Sequence, residues 1–241
     1  MLDAPVASRT VKMFAPTALD NRTMTINFTQ AREKMVEQQI RPWDVLDLRV
    51  LEVLARMPRE AFVPEAYKTL AYADVEIPLS VGQKMMKPVV EGRMLQALDL
   101  QPGEDVLEVG AGSGFATACL AALAREVVSL EIDPALAATA RANLDRTGLG
   151  INVRLETADV YSWQSERRFD AICVTGAVDT LPVQWLQWLR PNGRLFVVRG
   201  HEPVMEAVLV RGQVDAPRIE SLFETDLAYL QGAAPTPRFQ F

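Results

Sequence analysis

The stretch from Val106 to Phe115 constrains the fold more than any other part of this chain. It reads Val-Leu-Glu-Val-Gly-Ala-Gly-Ser-Gly-Phe, so an apolar run is followed by glycines at positions 110, 112 and 114, and an alanine-rich helical stretch then continues to Leu123. This order predicts a strand, a glycine turn and the start of a helix, with main-chain N–H groups facing a polar ligand. The sequence therefore predicts a ligand site at the end of one strand of an α/β fold.

A second feature indicates what kind of ligand this is. Glu131 ends the next apolar run, which begins at Glu126, about 20 residues beyond Gly110, where an acidic residue of such folds accepts hydrogen bonds from ribose hydroxyls. The glycine turn and Glu131 together predict a cofactor that contains a nucleoside.

The glycine spacing favours S-adenosylmethionine over a dinucleotide. A dinucleotide turn has its third glycine three positions after the second, but that position is Phe115 and the third glycine is Gly114. Glu108, just before the turn, would repel a pyrophosphate and attract the cationic amino-acid end of S-adenosylmethionine. We therefore interpret the turn as an S-adenosylmethionine site. The alternative is a tight glycine turn in some other α/β protein.

Strand and helix patterns alternate from Asp105 onward. Strands are predicted at 105–109, 126–131, 152–157, 169–175, 194–198, 207–211 and 222–230, and helices at 134–147 and 181–189, with a turn at 191–193. Earlier helices are predicted at 28–41, 45–57 and 89–98, before the first cofactor strand. The pattern predicts a doubly wound, Rossmann-like α/β sheet with an N-terminal helical cap, which is compatible with the predicted S-adenosylmethionine site.

The predicted helices and strands divide the chain into four regions. Residues 1–23 show no helical or strand period, and residues 1–27 are predicted to be a mobile arm, or to include residues upstream of a natural start at Met24. Residues 28–98 would form the helical cap and substrate loop, and residues 99–212 the cofactor-binding core. Residues 213–241 would supply closing strands and a C-terminal tail.

Further candidates lie where predicted strands end. Asp159 could accept the exocyclic amine of an adenine, or it could cap a helix, and the sequence leaves both open. Thr175 and Gly176 would lie near the transferred methyl group or simply form a turn. The single histidine, His201, is interpreted as incidental rather than catalytic. The predicted cofactor-binding set is Glu108, Gly110, Ala111, Gly112, Ser113, Gly114, Glu131, Ile132, Ala158, Asp159, Thr175 and Gly176.

Composition excludes several classes of function. With 25 Lys and Arg against 31 Asp and Glu, the net charge is −6, which disfavours a nucleic-acid partner, and an RNA methyltransferase would need a basic face that the sequence lacks. No apolar run reaches the length of a membrane span, so no membrane partner is expected. Cys119 and Cys173 make no metal or redox spacing, and no metal site is predicted. They are expected to be buried, reduced thiols, and the protein is expected to be cytoplasmic.

Several motifs resemble the protein-L-isoaspartate O-methyltransferase family. They occur in the family's order from about Phe28 to Arg211 and comprise Met35–Pro42 (MVEQQIRP), Pro58–Pro64 (PREAFVP), Leu70–Asp74 (LAYAD), the glycine turn and Phe169–Thr175 (FDAICVT). The resemblance implies transfer of a methyl group from S-adenosylmethionine to the abnormal carboxylate of isoaspartyl residues in aged proteins.

The predicted substrate loop departs from the family pattern. The family's loop typically reads Gly-Gln-Thr-Ile-Ser-x-Pro, whereas residues 82–88 read Gly-Gln-Lys-Met-Met-Lys-Pro. Lys84 replaces the threonine, and Met86 replaces the serine at the methyl-transfer centre, so a hydroxyl gives way to a thioether that hydrogen-bonds poorly. Lys84 and Met86 are therefore the candidate catalytic positions.

Three functions remain open at this point. The acceptor is expected to be a carboxylate, on an isoaspartyl peptide or on a diverged small molecule. Alternatively, the protein binds S-adenosylmethionine without catalysis and regulates a partner. The sequence does not specify an oligomeric state.

Overall fold

A computed structural model describes residues 26–80, 82–201 and 203–236. The predicted N-terminal arm lies outside the described residues except for its last two positions. The described chain begins with Ile26 and with Asn27, whose side chain caps the first helix by accepting a hydrogen bond from the Gln30 N–H at 3.1 Å.

A seven-stranded sheet forms the centre of the molecule. Its strands are β3 (Asp105–Val109), β4 (Glu126–Glu131), β5 (Val153–Thr157), β6 (Phe169–Val178), β7 (Leu189–His201), β8 (Val204–Gln213) and β9 (Ala216–Thr225). Their spatial order is β5-β4-β3-β6-β7-β8-β9. The first five strands in this order pair in parallel, and β8 and β9 add antiparallel pairs. The predicted doubly wound α/β fold is confirmed.

Both faces of the sheet are covered, which accounts for the apolar strands. In β3, Val106 belongs to one buried cluster, while Leu107 and Val109 belong to a second cluster on the other face. The first cluster includes side chains of α3 (Pro88–Leu98), α4 (Phe115–Leu123) and Leu144 of α5 (Pro134–Thr147). Because successive strand residues point to opposite faces, near-continuous apolar runs are what a doubly covered sheet requires.

The predicted N-terminal helices pack on the first face. Helix α1 (Phe28–Met35) continues through a π turn, Val36–Ile40, and a short 3₁₀ turn, Arg41–Trp43. Helix α2 (Leu48–Arg56) starts later than the predicted residue 45 because the Asp47 side chain caps it. A Cβ atom on Gly92 of α3 would lie 2.9 Å from the Ile40 side chain, so these elements pack closely.

A two-stranded hairpin connects the N-terminal helices to α3. Strands β1 (Ile77–Ser80) and β2 (Gln83–Met85) pair antiparallel and carry the predicted substrate loop. Leu79 of β1 reaches the glycine turn, since its Cδ1 lies 3.2 Å from the position of a Cβ on Gly112. The hairpin therefore covers the turn, as expected for elements that precede the first cofactor strand.

Two predictions in the second half were wrong. The helix predicted at 181–189 is a 3₁₀ segment, Val183–Trp188, because β7 already begins at Leu189 and leaves little room for a longer helix. The turn predicted at 191–193 lies inside β7, where the β6–β7 register jumps from Phe169↔Leu189 to Ala171↔Arg194. Asn192 takes the positive φ of 66° that this bulge requires.

The predicted last strand was displaced. Strand β9 ends at Thr225, whereas the sequence pattern placed a strand at 222–230. The apolar residues after Thr225 turn back instead and reach β6, where the Ala177 N–H donates to the Ala228 carbonyl at 2.8 Å and the Leu230 N–H donates to the Ala177 carbonyl at 2.9 Å. We call residues 226–233 the C-terminal strap.

Candidate functional site

The glycine turn connects β3 to α4 at the carboxyl edge of the sheet. Gly110, Gly112 and Gly114 have φ values of 98°, 55° and 86°, a region that residues other than glycine rarely adopt. The Gly110 N–H donates to the Leu130 carbonyl at 2.8 Å, which ties the turn to β4. A Cβ on Gly114 would lie 3.2 Å from the Ala140 carbonyl oxygen of α5. These positions explain why glycines recur at this spacing.

Glu131 holds the turn from the end of β4. Its Oε2 accepts from the Gly112 N–H at 2.8 Å, and its Oε1 accepts from the Asp133 N–H at 3.0 Å. The residue is only 6% exposed. A carboxylate has about four acceptor sites, so Glu131 keeps capacity for donors from a ligand.

A cavity of about 520 Å³ lies beside this carboxylate, and we call it the acidic cavity. It is lined by Gln83, Val109, Gly110, Leu130, Glu131, Ile132, Asp133, Ala158, Asp159, Val160, Leu230 and Gln231. Three of these residues are acids, and no lysine or arginine lines it within the described part of the chain. A pyrophosphate would be repelled here, whereas a phosphate-free nucleoside with a cationic group would not.

Asp159 follows β5, as predicted, and lines the acidic cavity. Its Oδ1 accepts from the Tyr161 N–H at 2.9 Å, which is a turn-capping contact. No helix follows Asp159 directly in the described chain, so the helix cap predicted as the alternative was wrong: the carboxylate caps a turn, and the residue also lines the cavity. The contact with an adenine amine stays a prediction.

Glu108 lies beneath the glycine turn rather than on a cavity wall. Its side chain is fully buried, and its Oε2 accepts from the hydroxyls of Thr117 at 2.6 Å and Ser129 at 2.5 Å. Burial raises the pKa of Glu108 to about 7, against the opposing effect of these two hydroxyls. Glu108 does not line the acidic cavity, and among the described residues its Oε1 has no hydrogen-bond partner, so the contact with a cofactor's amino group stays a prediction.

A second, smaller cavity adjoins the first, and we call it the transfer cavity. Its volume is about 40 Å³, and it is lined by Leu79, Lys84, Met85, Met86, Glu91, Gly110, Ala111, Gly112, Ser113, Phe115, Ala116 and Thr175. Gly110 lines both cavities. The structure thus brings the two substrate-loop positions, Lys84 and Met86, to the same turn as the predicted cofactor residues.

The two substrate-loop candidates have different surroundings. Met86 is 4% exposed, so its thioether is part of the cavity wall. Lys84 is exposed, and its Nζ lies 2.7 Å from Oε2 of Glu76. The positive charge of Lys84 therefore lies at the rim of the transfer cavity, where the ion pair with Glu76 holds it.

Thr175 and Gly176 lie inside β6, which continues to Val178, and not at its end as the sequence predicted. The Thr175 hydroxyl donates to the Val109 carbonyl at 3.0 Å and so fastens β6 to the start of the turn. A Cβ on Gly176 would lie 2.7 Å from Cδ2 of Leu230, so this glycine admits the C-terminal strap. His201 lines neither cavity, and its Nδ1 lies 2.6 Å from Asp179 Oδ1. Its interpretation as incidental agrees with this position.

Several lining residues escaped the sequence interpretation. Leu230 and Gln231 of the strap complete the acidic cavity, yet they lie about a hundred residues from the turn and carry no motif. Arg59 and Glu91 form a buried ion pair next to the transfer cavity. Arg59 belongs to the Pro58–Pro64 motif that supports the family resemblance, but no role could be assigned to Arg59 itself from the sequence.

Other features of the described residues carry no comparable site. A groove of about 1340 Å³ lies at the opposite, amino edge of β7 and includes the β8–β9 turn, and no residue of the glycine turn lines it. No cluster of His, Cys, Asp or Glu suited to a metal ion occurs within the described ranges. None of the helices that the structure describes is long and apolar enough to cross a membrane.

Comparisons with known proteins agree with this geometry. The model of the protein-L-isoaspartate(D-aspartate) O-methyltransferase family matches residues 30–221. Protein-L-isoaspartate O-methyltransferase 2 of Marinobacter nauticus is 41% identical over 184 residues, which cover 76% of this chain and 84% of that protein. The protein of the same name from an Anaeromyxobacter species is 40% identical over 193 residues, with 79% of each chain covered.

Solved structures show the same fold. A Plasmodium falciparum protein assigned as a protein-L-isoaspartate O-methyltransferase, in complex with S-adenosyl-L-homocysteine, matches with a TM-score of 0.73 and 21% identity, over 86% of this chain and 99% of that one. A second protein-L-isoaspartate O-methyltransferase matches with a TM-score of 0.72 and 24% identity, over 83% of this chain and 65% of that one. The resemblance inferred from the motifs is confirmed: the chain belongs to the protein-L-isoaspartate O-methyltransferase family.

Proposed function

We propose that the protein is an S-adenosylmethionine-dependent O-methyltransferase that methylates the carboxylate of isoaspartyl residues in damaged proteins. Family membership gives the reaction class. The single observation that carries the assignment in this chain is that Gly110 lines both the acidic cavity and the transfer cavity. A cofactor in the acidic cavity would reach the wall formed by Met86 in the transfer cavity.

The residues of the acidic cavity fit S-adenosylmethionine. Three carboxylates, Glu131, Asp133 and Asp159, match a cationic and phosphate-free ligand. Glu131 would accept from the ribose hydroxyls and Asp159 from the adenine amine, while main-chain groups from Gly110 to Gly114 would approach the amino-acid end. When bound, this cofactor supplies an electrophilic methyl group on a positively charged sulfur.

The chain's own contribution would be to position the acceptor. A carboxylate with a pKa of about 4 is already ionised at pH 7, so no residue has to remove a proton before attack. Rate then depends on holding the carboxylate oxygen in line with the methyl carbon. Met86 would form an apolar wall in this space, and Lys84 would attract an anionic acceptor to the rim.

The two cysteines indicate the cellular compartment in which the protein works. Cys119 and Cys173 are both buried and unpaired, as predicted. Burial raises the pKa of each thiol well above its usual range, so both remain protonated and unreactive. Free thiols of this kind are typical of a reducing compartment, and we propose the cytoplasm.

Methyl transfer to a defined peptide tests the function. Purified protein with methyl-labelled S-adenosylmethionine should label a peptide that contains one isoaspartyl residue. The same peptide with ordinary aspartate is the matched control and should stay unlabelled.

The alternatives predict other outcomes. If the protein binds the cofactor but labels only low-molecular-weight acids from a cell extract, the acceptor is a small molecule. If it binds the cofactor and labels nothing, it is a binding protein without catalysis. Either result would overturn the proposed acceptor.

A further inference from the structure

Arg59 is a buried charge to which the proposed function gives no role. Its side chain is 1% exposed, and it forms an ion pair with Glu91, whose side chain is 2% exposed. Arg59 lies in the short 3₁₀ segment Arg59–Ala61, between the N-terminal helices and the hairpin, and Glu91 lies in the first turn of α3. Glu91 also lines the transfer cavity.

The guanidinium of Arg59 contacts three segments that build the site. Nη1 donates to the Glu91 carboxylate, and Nη2 donates to the Met86 carbonyl at 2.6 Å. The guanidinium carbon lies 4.7 Å from the centre of the Phe115 ring, at the first residue of α4. Arg59 thus joins the end of the substrate loop, α3 and the helix that follows the glycine turn.

Stability alone does not account for this arrangement. Taking two charges out of water has a cost that their mutual attraction recovers only in part, and apolar side chains of similar volume are often equal or better. Among the described residues, Arg59 Nε has no hydrogen-bond partner, so the desolvation is not fully compensated. Burial also raises the pKa of Glu91 to about 7, against the attraction of Arg59.

We propose that Arg59 is a positioning residue for methyl transfer. It fixes the main chain at Met86, and therefore the substrate-loop wall of the transfer cavity, relative to the glycine turn. Glu91 keeps the guanidinium oriented for this contact. The role rests on the proposed function, because only the transfer of a methyl group needs this wall to be held.

The chemistry of arginine suits this role. Its planar group presents several N–H donors in fixed directions, so one side chain can serve a carboxylate and a carbonyl at the same time. The ammonium of a lysine is a point charge on a flexible stem and would not hold both partners in one geometry. Displacements of about 1 Å in an active site cost up to about a hundredfold in rate.

The experiment compares two variants with a matched control. The variants are Arg59→Lys and the double change Arg59→Met with Glu91→Leu. The control is Arg194→Met with Glu104→Leu, which removes a largely buried ion pair of 2.7 Å at the opposite end of the sheet. For each protein, kcat and KM on the isoaspartyl peptide, the affinity for S-adenosylhomocysteine, and hydrogen exchange of residues 83–87 are measured.

We expect the Arg59 variants to lose at least about tenfold in kcat while the Kd for S-adenosylhomocysteine changes less than about twofold. Exchange of residues 83–87 should accelerate in the same variants. The Arg194 control should lower stability but leave kcat and the exchange of residues 83–87 unchanged.

Folded Arg59 variants with the parent's kcat, or with unchanged exchange at 83–87, would overturn the proposal. If the double variant does not fold, the kcat of Arg59→Lys and its hydrogen exchange at residues 83–87 test the proposal. If the unchanged protein fails to label the peptide, the proposed function fails, and the exchange measurement still decides whether Arg59 holds the Met86 segment.

Discussion

Glu131 has a structural contact and a predicted binding contact at the same carboxylate. In the structure it accepts from the Gly112 and Asp133 N–H groups at the end of β4. Its place at the wall of the acidic cavity leaves it available to the ribose of a cofactor. The Glu131 side chain would therefore both stabilise the glycine turn and bind the ribose of the cofactor.

Replacing Glu131 tests this assignment. We expect Glu131→Ala to weaken S-adenosylhomocysteine binding by roughly 2 kcal/mol, or about thirtyfold in Kd, because hydrogen bonds to a charged group are lost. Calorimetric titration measures the change. Glu126→Ala, at the other end of β4 and paired with Arg167, is the matched control and should bind like the parent. Equal affinities for the parent and Glu131→Ala would remove Glu131 from the site.

Met86 is buried in the wall of the transfer cavity, where we propose that the acceptor is held. We expect Met86→Ser to raise kcat/KM for the isoaspartyl peptide about fivefold, since one orienting hydrogen bond is worth about 1 kcal/mol. The same change should lower the free energy of unfolding by roughly 2 kcal/mol, because the side chain is buried.

Met86→Leu is the control for this prediction, because it keeps the volume and adds no hydroxyl. Steady-state kinetics on both variants separate the effects. If Met86→Leu raises kcat/KM as much as Met86→Ser does, the gain does not come from the added hydroxyl, and the prediction is contradicted.

At the scale of elements, the C-terminal strap closes the acidic cavity. Leu230 packs where Cβ atoms on Gly110 and Gly176 would lie, at 3.4 Å and 2.7 Å from its Cδ2. Hydrogen bonds between the main chains of Ala177 and Leu230 hold it against β6. The strap therefore makes part of the acidic cavity wall depend on a segment far away in the sequence.

Shortening Leu230 tests the strap. We expect Leu230→Ala to raise the Kd for S-adenosylhomocysteine about tenfold, because roughly 1 to 2 kcal/mol of apolar contact is removed from the cavity wall. Leu227→Ala is the control within the same segment, since Leu227 is buried in the cluster on the α3 face rather than in the cavity. It should reduce thermal stability and leave the affinity unchanged. An unchanged affinity in Leu230→Ala together with a weakened affinity in Leu227→Ala would contradict the role of the strap.

The elements show what sequence patterns can and cannot predict. The bounds of β3 and β4 agree with the prediction because both are short apolar runs, buried on both faces and bounded by polar or glycine residues. The 3₁₀ segment at 183–188 and the bulge in β7 were missed because tertiary packing overrides local propensity there.

The residues of the candidate site also divide into those that local sequence predicts and those that depend on tertiary packing. Glycine positions and Glu131 were predictable because each satisfies a local backbone or spacing requirement. The burial of Glu108, the ion pair of Arg59 with Glu91 and the return of Leu230 arise from contacts between distant segments. No local pattern in the sequence encodes such contacts.

At the scale of the whole molecule, one buried carboxylate joins the amino ends of the central strands. Asp105 starts β3 and contacts Arg125 at 2.6 Å, Arg190 at 2.8 Å and Arg167 at 3.3 Å. Burial alone would raise the pKa of Asp105, but these guanidinium groups outweigh it and lower the pKa to about 2.

This cluster predicts a pH dependence of stability. Because the pKa of Asp105 is lowered on folding from 3.8, its contribution is present above pH 3.8 and is lost as the pH falls through about 2. We expect Asp105→Asn to lower the free energy of unfolding at pH 7 by roughly 2 kcal/mol. Denaturant titrations of both proteins should show this difference shrinking between pH 4 and pH 2. A difference that stays constant over that range would contradict the assignment.

We propose that the glycine turn and the acidic cavity hold S-adenosylmethionine. Calorimetric titration of the purified protein with S-adenosylhomocysteine, and with NADH under the same conditions, distinguishes this site from a dinucleotide site. We predict saturable binding of one S-adenosylhomocysteine per chain and no binding of NADH, since the cavity wall is acidic. Absence of both heat and a thermal shift with S-adenosylhomocysteine, or equal binding of NADH, would contradict the account.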